Sequence, residues 1–281
     1  MPSEIRVYEP DNAVKKGNFS VFFSILREIY SNRWFIFRFC RRDFIALYCR
    51  SFTGIIWSFF LPLLAAGTFF VLNKSGVFNM GSIVVPYALY AFFGLIYWQV
   101  FSNGMAAAAL SLVKAGPMAF EVNFSRKSLV ISSLGQAVTA FLIQCAFFLT
   151  LCVYYGYNPG WRLLTLPLFL LPLLVFTLSL GLLFALLKGI ARETGNITGI
   201  LVSFLLFLTP VLYAKPEHGL LAAVTAYNPL YYFVSVPRDY IFYGSVDGFV
   251  CYFIITVFTA VFFAVSVTAF HFTESRIAER I

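Results

Sequence analysis

The chain has 281 residues, of which 60% are hydrophobic, 20% aromatic and 11% charged, and its net charge is +8. A soluble domain carries about 25% charged and about 45–50% apolar residues, so one soluble core of this size cannot hide the excess, and lipid is the solvent implied for most of the surface. The basic residues flank apolar stretches, which makes the positive charge a topology signal and sets nucleic-acid binding aside.

Residues 1–18 are polar and lack the apolar core of a cleavable signal, so insertion falls to the first span. Over 19–30, Phe22, Phe23, Leu26 and Tyr30 recur at helical spacing with Arg27 and Glu28 opposite. Segment 34–50 mixes Trp34, Phe35, Phe37, Phe39, Phe44 and Leu47 with Arg38, Arg41, Arg42 and Arg50, and Arg38, Arg41 and Arg42 fall on one helical face. This pattern predicts an amphipathic helix lying in the cytoplasmic interface. A basic anchor that only sets topology explains the same residues, and both readings hold together.

Six stretches then lack Asp, Glu, Lys and Arg: 51–73, 75–113, 128–161, 163–187, 194–214 and 248–273. Each has room for one span, because about 20 residues rising about 1.5 Å apiece cross a hydrocarbon core about 30 Å thick. The second holds only one, since 79–86 reads as loop. A seventh stretch, 218–237, has Tyr227-Asn228-Pro229 at its middle, where a helix breaks. The flanking pieces, 219–226 and 230–243, are too short to cross and predict two short re-entrant helices. The fold class expected is an all-α integral membrane protein with six transmembrane helices, an N-terminal amphipathic interface helix and two short re-entrant helices before the last span. The division expected is a tail and interface helix over 1–50 and a six-span transmembrane domain over 51–281, with a cytoplasmic loop at 111–132 and a re-entrant segment on the outer side at 215–245. With the N-terminus inside, 16 of the 20 Lys and Arg lie on the cytoplasmic side, leaving Lys74, Arg162, Lys215 and Arg238 outside.

The loop at 111–132 carries Lys114, Glu121, Arg126 and Lys127 with a Gly116-Pro117 turn. It reads either as a docking surface for a soluble partner or as a solvated connector. The chain has 35 Phe, 16 Tyr and 4 Trp. Some belong to interface belts, whereas Trp57, Phe59, Phe60, Phe69, Phe70, Phe204 and Phe207 lie mid-span. Those read as lipid-facing packing or as a path on which sugar rings stack. Cys40, Cys49, Cys145, Cys152 and Cys251 have no paired spacing and read as small packing residues, and His218 and His271 as interface residues. No phosphate-binding loop, HExxH, GxSxG or metal-ligand cluster occurs. Spans without ionisable groups weaken the ion-coupled carrier and intramembrane transferase readings, so energy for transport has to come from a separate subunit.

Arg42-Asp43, Tyr48, Gly54, Trp57 and Pro62 resemble the RD-xxxx-Y…G-xx-W-xxxx-P signature of ABC transporter permeases that export polysaccharides and polyol phosphates. These are the O-antigen, capsule and teichoic-acid exporters. Tyr90…Gly94-Leu95…Trp98…Phe101 resembles the second span of that family. Leu208-Thr209-Pro210-Val211-Leu212-Tyr213 resembles the end of its fifth, and Asn228-Pro229-Leu230…Arg238…Gly244 the segment before its last. The chain departs from the pattern at 124–132, which lacks both prolines of "FPRxxLPLS", and at Gly195-Asn196, where Arg-Asp is common.

The resemblance implies a homodimeric permease in a bacterial cytoplasmic membrane, with both termini cytoplasmic and no ATP site of its own. Two copies of a separate ABC ATPase, holding ATP and Mg, would dock on a coupling loop carrying Lys114, Glu121, Phe124, Arg126 and Lys127. It implies an interface helix with Arg38, Arg41, Arg42, Asp43 and Tyr48. It implies a path for a lipid-linked glycan, O-antigen first among them, for which Trp57, Phe60, Phe204 and Phe207 are candidates. The outer gate would comprise Tyr227, Asn228, Pro229, Tyr231, Tyr232 and Arg238. An ABC permease for a lipid or drug, or an ion-coupled carrier, is the alternative.

Overall fold

The computed structural model describes residues 18–46, 85–115, 126–190, 194–215, 218–244 and 248–277, with single positions at 56, 60, 63–65, 67, 68, 71 and 75. Of the residues singled out above, Tyr48, Trp57, Glu121 and Phe124 lie outside the described residues, as do Cys49 and most of the first span.

Two amphipathic helices come first, α1 (Asn18–Ser31) and α2 (Arg33–Phe44). The apolar face of α1 is pinned by Ile25, which is buried. No residue of α2 is fully buried: Arg38, Arg41 and Arg42 are exposed, and the opposite side rests on the bundle. Arg41 and Arg42 occupy its last turn, where a cation meets the negative end of the helix dipole.

Helix α3 (Tyr87–Ala115) is the centre of the bundle. From Leu89 to Val100 every side chain except Gln99 is buried. It packs most heavily on α4 (Arg126–Tyr154) and α5 (Leu166–Ile190). The aromatic excess builds much of this core. Phe93 meets Tyr97, Phe148 and Phe242 with ring centroids 5.3, 5.3 and 5.8 Å away. Phe176 of α5 meets Phe101, Phe233 and Phe262. Buried phenols find carbonyls beyond their own helix: Tyr97 donates to Leu166 O and Tyr252 to Phe169 O.

A turn at Tyr155–Pro159 and a 3-10 helix (Gly160–Thr165) lead into α5. Then come α6 (Thr194–Leu208), the short α7 (Leu220–Tyr227), α8 (Pro229–Tyr243) and α9 (Phe249–Ile277). The expected break falls between α7 and α8. Asn228 adopts an extended conformation, its side chain accepts from Leu230 N, and Pro229 takes the first helical position, where its missing N–H does no harm. Gly244 closes α8 in the left-handed region at φ 72°.

Among the described residues, three stretches are long and apolar enough to cross a membrane: Arg126–Tyr154, Gly160–Gly189 and Phe249–Thr273. Helix α6 is apolar but shorter. The stretch expected over 75–113 contains α3, which has the length to span but is interrupted by Gln99, Ser102 and Asn103. It is largely surrounded by protein, and Gln144 donates to Gln99 across the α3–α4 contact at 2.6 Å, while Ser102 donates to Gln99 O of its own helix and Asn103 is exposed. By contrast α9 turns Phe253, Ile254, Val257, Phe258, Val261 and Val265 outward. A row of exposed apolar side chains on that scale is stable in lipid and not in water. The protein is a multi-pass membrane protein.

Candidate functional site

The first site is the broken end of α6. Pro210 prevents the helix from continuing, and Thr209, Pro210, Val211 and Leu212 are all buried. Backbone that is neither helix nor sheet, away from water, must find partners for its carbonyls. Side chains from two other helices supply them. Arg238 on α8 donates through both terminal nitrogens to Pro210 O, each at 3.3 Å, and through one of them to Val211 O at 2.9 Å. On α3, Tyr87 donates to Leu212 O at 2.8 Å and Tyr90 to Tyr213 O at 3.4 Å. Asn228 donates its amide to Thr209 Oγ1 at 2.8 Å.

Arg238 is only 2% exposed, and its guanidinium carbon lies 3.9 Å from the Tyr90 ring centroid. Asp239 comes no nearer than 4.0 Å to its Nε. A planar, delocalised cation with two forked donors suits adjacent carbonyls as an ammonium does not. Gly94 on α3 makes the approach possible, because a Cβ there would overlap the Val211 carbonyl oxygen.

Of the residues expected at the outer gate, Asn228 and Arg238 are therefore brought together on one backbone segment. Tyr231 is 9% exposed and packed inside, so it presents little surface to a ligand. Tyr232 is half-buried and donates to Ala226 O. Tyr227 is 89% exposed at the end of α7, whose single buried side chain is Thr225. Helix α8, in contrast, buries most of its length.

The candidate path residues Phe204 and Phe207 stand on one outward face of α6 with Ile197, Ile200 and Leu201, all exposed. Phe60 of the first span is exposed as well.

The second site is the junction between α3 and α4. Lys114 is exposed at the end of α3 and Arg126 half-exposed at the start of α4. Lys127, expected beside them on a docking surface, is instead 2% exposed. Its Nζ lies 3.0 Å from Glu28 Oε2 of α1 and 3.0 Å from His271 Nδ1 of α9. It faces the chain's own interior, and its charge is not available to a partner. His271, expected at the membrane interface, is the half-buried third member of this group.

Helix α2 is seated on the same part of α4. Cys40 Sγ donates to Ser132 O at 3.2 Å, Gln136 donates to Asp43 at 3.3 Å, and a Cβ on Gly135 would overlap Cys40 Sγ. Burial, and then the Asp43 carboxylate, push the Cys40 thiol above its ordinary range, as suits a packing residue. Arg42 holds Asp43 through two nitrogens at 3.0 and 2.8 Å and lies 4.2 Å over the Phe39 ring. Cys40 and Asp43 thus anchor α2 to the bundle, with Arg42 bound to Asp43 on the helix itself.

The model of the ABC-2 type transporter family matches residues 35–242. The chain is also 27% identical over 224 residues to the O-antigen export system permease protein RfbA of Myxococcus xanthus, covering 78% of this chain and 84% of the relative.

Proposed function

We propose, from the premise that this chain belongs to the ABC-2 type transporter family, that it is the membrane subunit of an ATP-driven exporter of a lipid-linked polysaccharide. The observation that carries the substrate is the likeness, over most of both chains, to a permease named for O-antigen export. O-antigen is therefore first among the substrates, with capsule and teichoic acid as further members of that class. In this reading six spans cross a bacterial cytoplasmic membrane, the first of them within 51–73, and both termini are cytoplasmic.

Two copies of the subunit would flank the path. The exposed aromatic face of α6 supports that placement, because sugar rings stack on aromatic faces without strict sequence demands. Two ATPase subunits, holding ATP and Mg, would dock below the segment between α3 and α4. Lys114, exposed, and Arg126, half-exposed, are the cations at its two ends. Helices α7 and α8 would form the re-entrant outer gate, with α8 fixed by Arg238 and α7 the freer half. An ion-coupled carrier fits less well, since the buried cations Lys127 and Arg238 are each held by this chain's own groups.

Co-purification with its operon neighbours in mild detergent tests the reading. A stoichiometric partner with a phosphate-binding loop and vanadate-sensitive hydrolysis is expected. A chain that purifies alone without ATPase activity overturns it. Reversing both charges, Lys114→Glu with Arg126→Glu, is expected to lower partner recovery about tenfold, since rim charges steer association. Undiminished recovery would remove them from the docking surface. For the path, Phe204→Ala with Phe207→Ala is expected to reduce surface glycan several-fold at normal membrane insertion, the loss of about 1 kcal/mol per ring contact. Unchanged surface glycan would assign that face to lipid.

A further inference from the structure

The junction around Lys127 does more than hold two surfaces together. An ammonium has donors only, so His271 Nδ1 accepts from it and the ring proton sits on Nε2. Glu28 takes a second donor and stays partly open to solvent, whereas Lys127 is sealed. The three side chains come from α1, the first turn of α4 and the end of α9, 99 and 144 residues apart in the chain.

Adhesion alone does not call for this arrangement, since Ile25 already buries an apolar side chain under α1. A buried charge differs from an apolar contact in its response to displacement. Sliding one helix by part of a turn leaves methyl groups in new contacts, but it leaves an ammonium unpaired and out of reach of water. The joint is therefore either closed or fully open.

Position adds to this. Lys127 belongs to the segment that leaves the cytoplasmic stretch between α3 and α4, and the next two turns carry α2 through Ser132, Gly135 and Gln136. Helix α2 is thus seated on the first turns of α4, and α1 reaches the same end through Glu28.

We propose that Lys127, Glu28 and His271 form an interlock that makes α1 and the cytoplasmic end of α9 move as one body with α4. In an ATP-driven exporter, the reading on which this last step rests, the interlock passes displacement of the docking segment to the N-terminal helix.

Two readouts keep the parts separate. The first is tryptic cleavage after Arg27, which is exposed on α1, followed by mass spectrometry on the full chain in mild detergent. Each rate is divided by that of a short peptide spanning the same bond in the same variant, because residue 28 flanks the cut; on that scale Glu28→Ala and His271→Leu are expected to be cut about tenfold faster than wild type, as α1 opens locally. His271→Asn, whose Oδ1 takes the place of Nδ1 as acceptor, is expected to be cut at the wild-type rate. Wild-type rates in Glu28→Ala overturn the interlock, and so does equal acceleration in His271→Asn and His271→Leu, which would assign His271 to packing. Should His271→Leu not fold, Glu28→Ala decides alone.

The second readout is glycan exported per ATP hydrolysed by the reconstituted complex. It is expected to fall about fivefold in Glu28→Ala while ATPase recovery stays normal, as the loss of one charge-assisted contact permits. An unchanged ratio overturns the coupling role. A wild-type chain that recovers no ATPase would remove the exporter reading, and the cleavage rates would still decide the interlock.

Discussion

Arg238→Met is expected to destabilise the bundle by about 3 kcal/mol, the sum of two stranded carbonyls at about 1–3 kcal/mol each and a lost ring contact, less the apolar burial that Met restores. The carbonyls of Pro210 and Val211 cannot turn to water, because both residues are buried and the backbone leaves the helix there. In detergent, the thermal unfolding midpoint should drop by several degrees and the monodisperse fraction should shrink. Arg238→Lys should fall between, since an ammonium reaches one carbonyl but lacks the planar fork and the flat face over Tyr90. Tyr90→Phe separates the two contributions: it keeps the ring under the guanidinium and removes only the bond to Tyr213 O, so a loss of about 1 kcal/mol is expected. A wild-type midpoint for Arg238→Met would mean that the broken end of α6 is held by something other than this residue.

The same arginine shows what a sequence reading reaches and what it does not. Its neighbourhood was legible: Asn228-Pro229 predicts a helix break, and α7 and α8 part there. The charge-free stretches predict the courses of α3 through α6 and α9, because the absence of charge over some twenty residues is a local property. Segment 34–50 likewise predicts a basic helix, and α2 exposes the face carrying Arg38, Arg41 and Arg42. Arg238 itself reads in the sequence as a charge on the outer side and a member of the gate, with no partner named. Its partners are carbonyls 27 and 28 residues earlier, released by Pro210. The available signal was a proline-terminated apolar helix and a lone arginine within an apolar segment, each of which needs what the other has.

Lys127 misled for the same reason. A lysine at the end of an apolar stretch looks solvated, and only the arrival of Glu28 and His271 from distant helices encloses it. Helix α3 carries the opposite lesson. Gln99 dilutes its apolar character, yet α3 is among the most enclosed helices of the bundle, and a polar side chain there pairs with Gln144 instead of facing lipid.

The crossing of α3 and α5 carries the other large expected effect. Gly104 and Ala108 lie four apart on α3, and Thr177 and Gly181 four apart on α5. A Cβ on Gly181 would stand 2.5 Å from Ala108 Cβ, and one on Gly104 would stand 2.9 Å from Thr177 Cγ2. In lipid no hydrophobic force draws helices together, so close backbone approach across small residues is a main source of their attraction. A methyl group added at Gly181 has no flexible neighbour to push aside, and the helices must separate instead. Gly181→Ala is therefore expected to lower stability by about 1–3 kcal/mol, and Gly181→Leu by more, with loss of the monodisperse chain. The decisive variant is the double exchange, Gly181→Ala with Ala108→Gly, which moves the methyl group from one helix to the other and keeps the contact. Its midpoint should return most of the way, short of wild type because glycine within α3 costs up to about 1 kcal/mol. Recovery would locate the constraint in this one contact. A double variant as unstable as Gly181→Ala alone would show that the added methyl meets something other than Ala108, and the α3–α5 crossing would have to be wider than the structure places it.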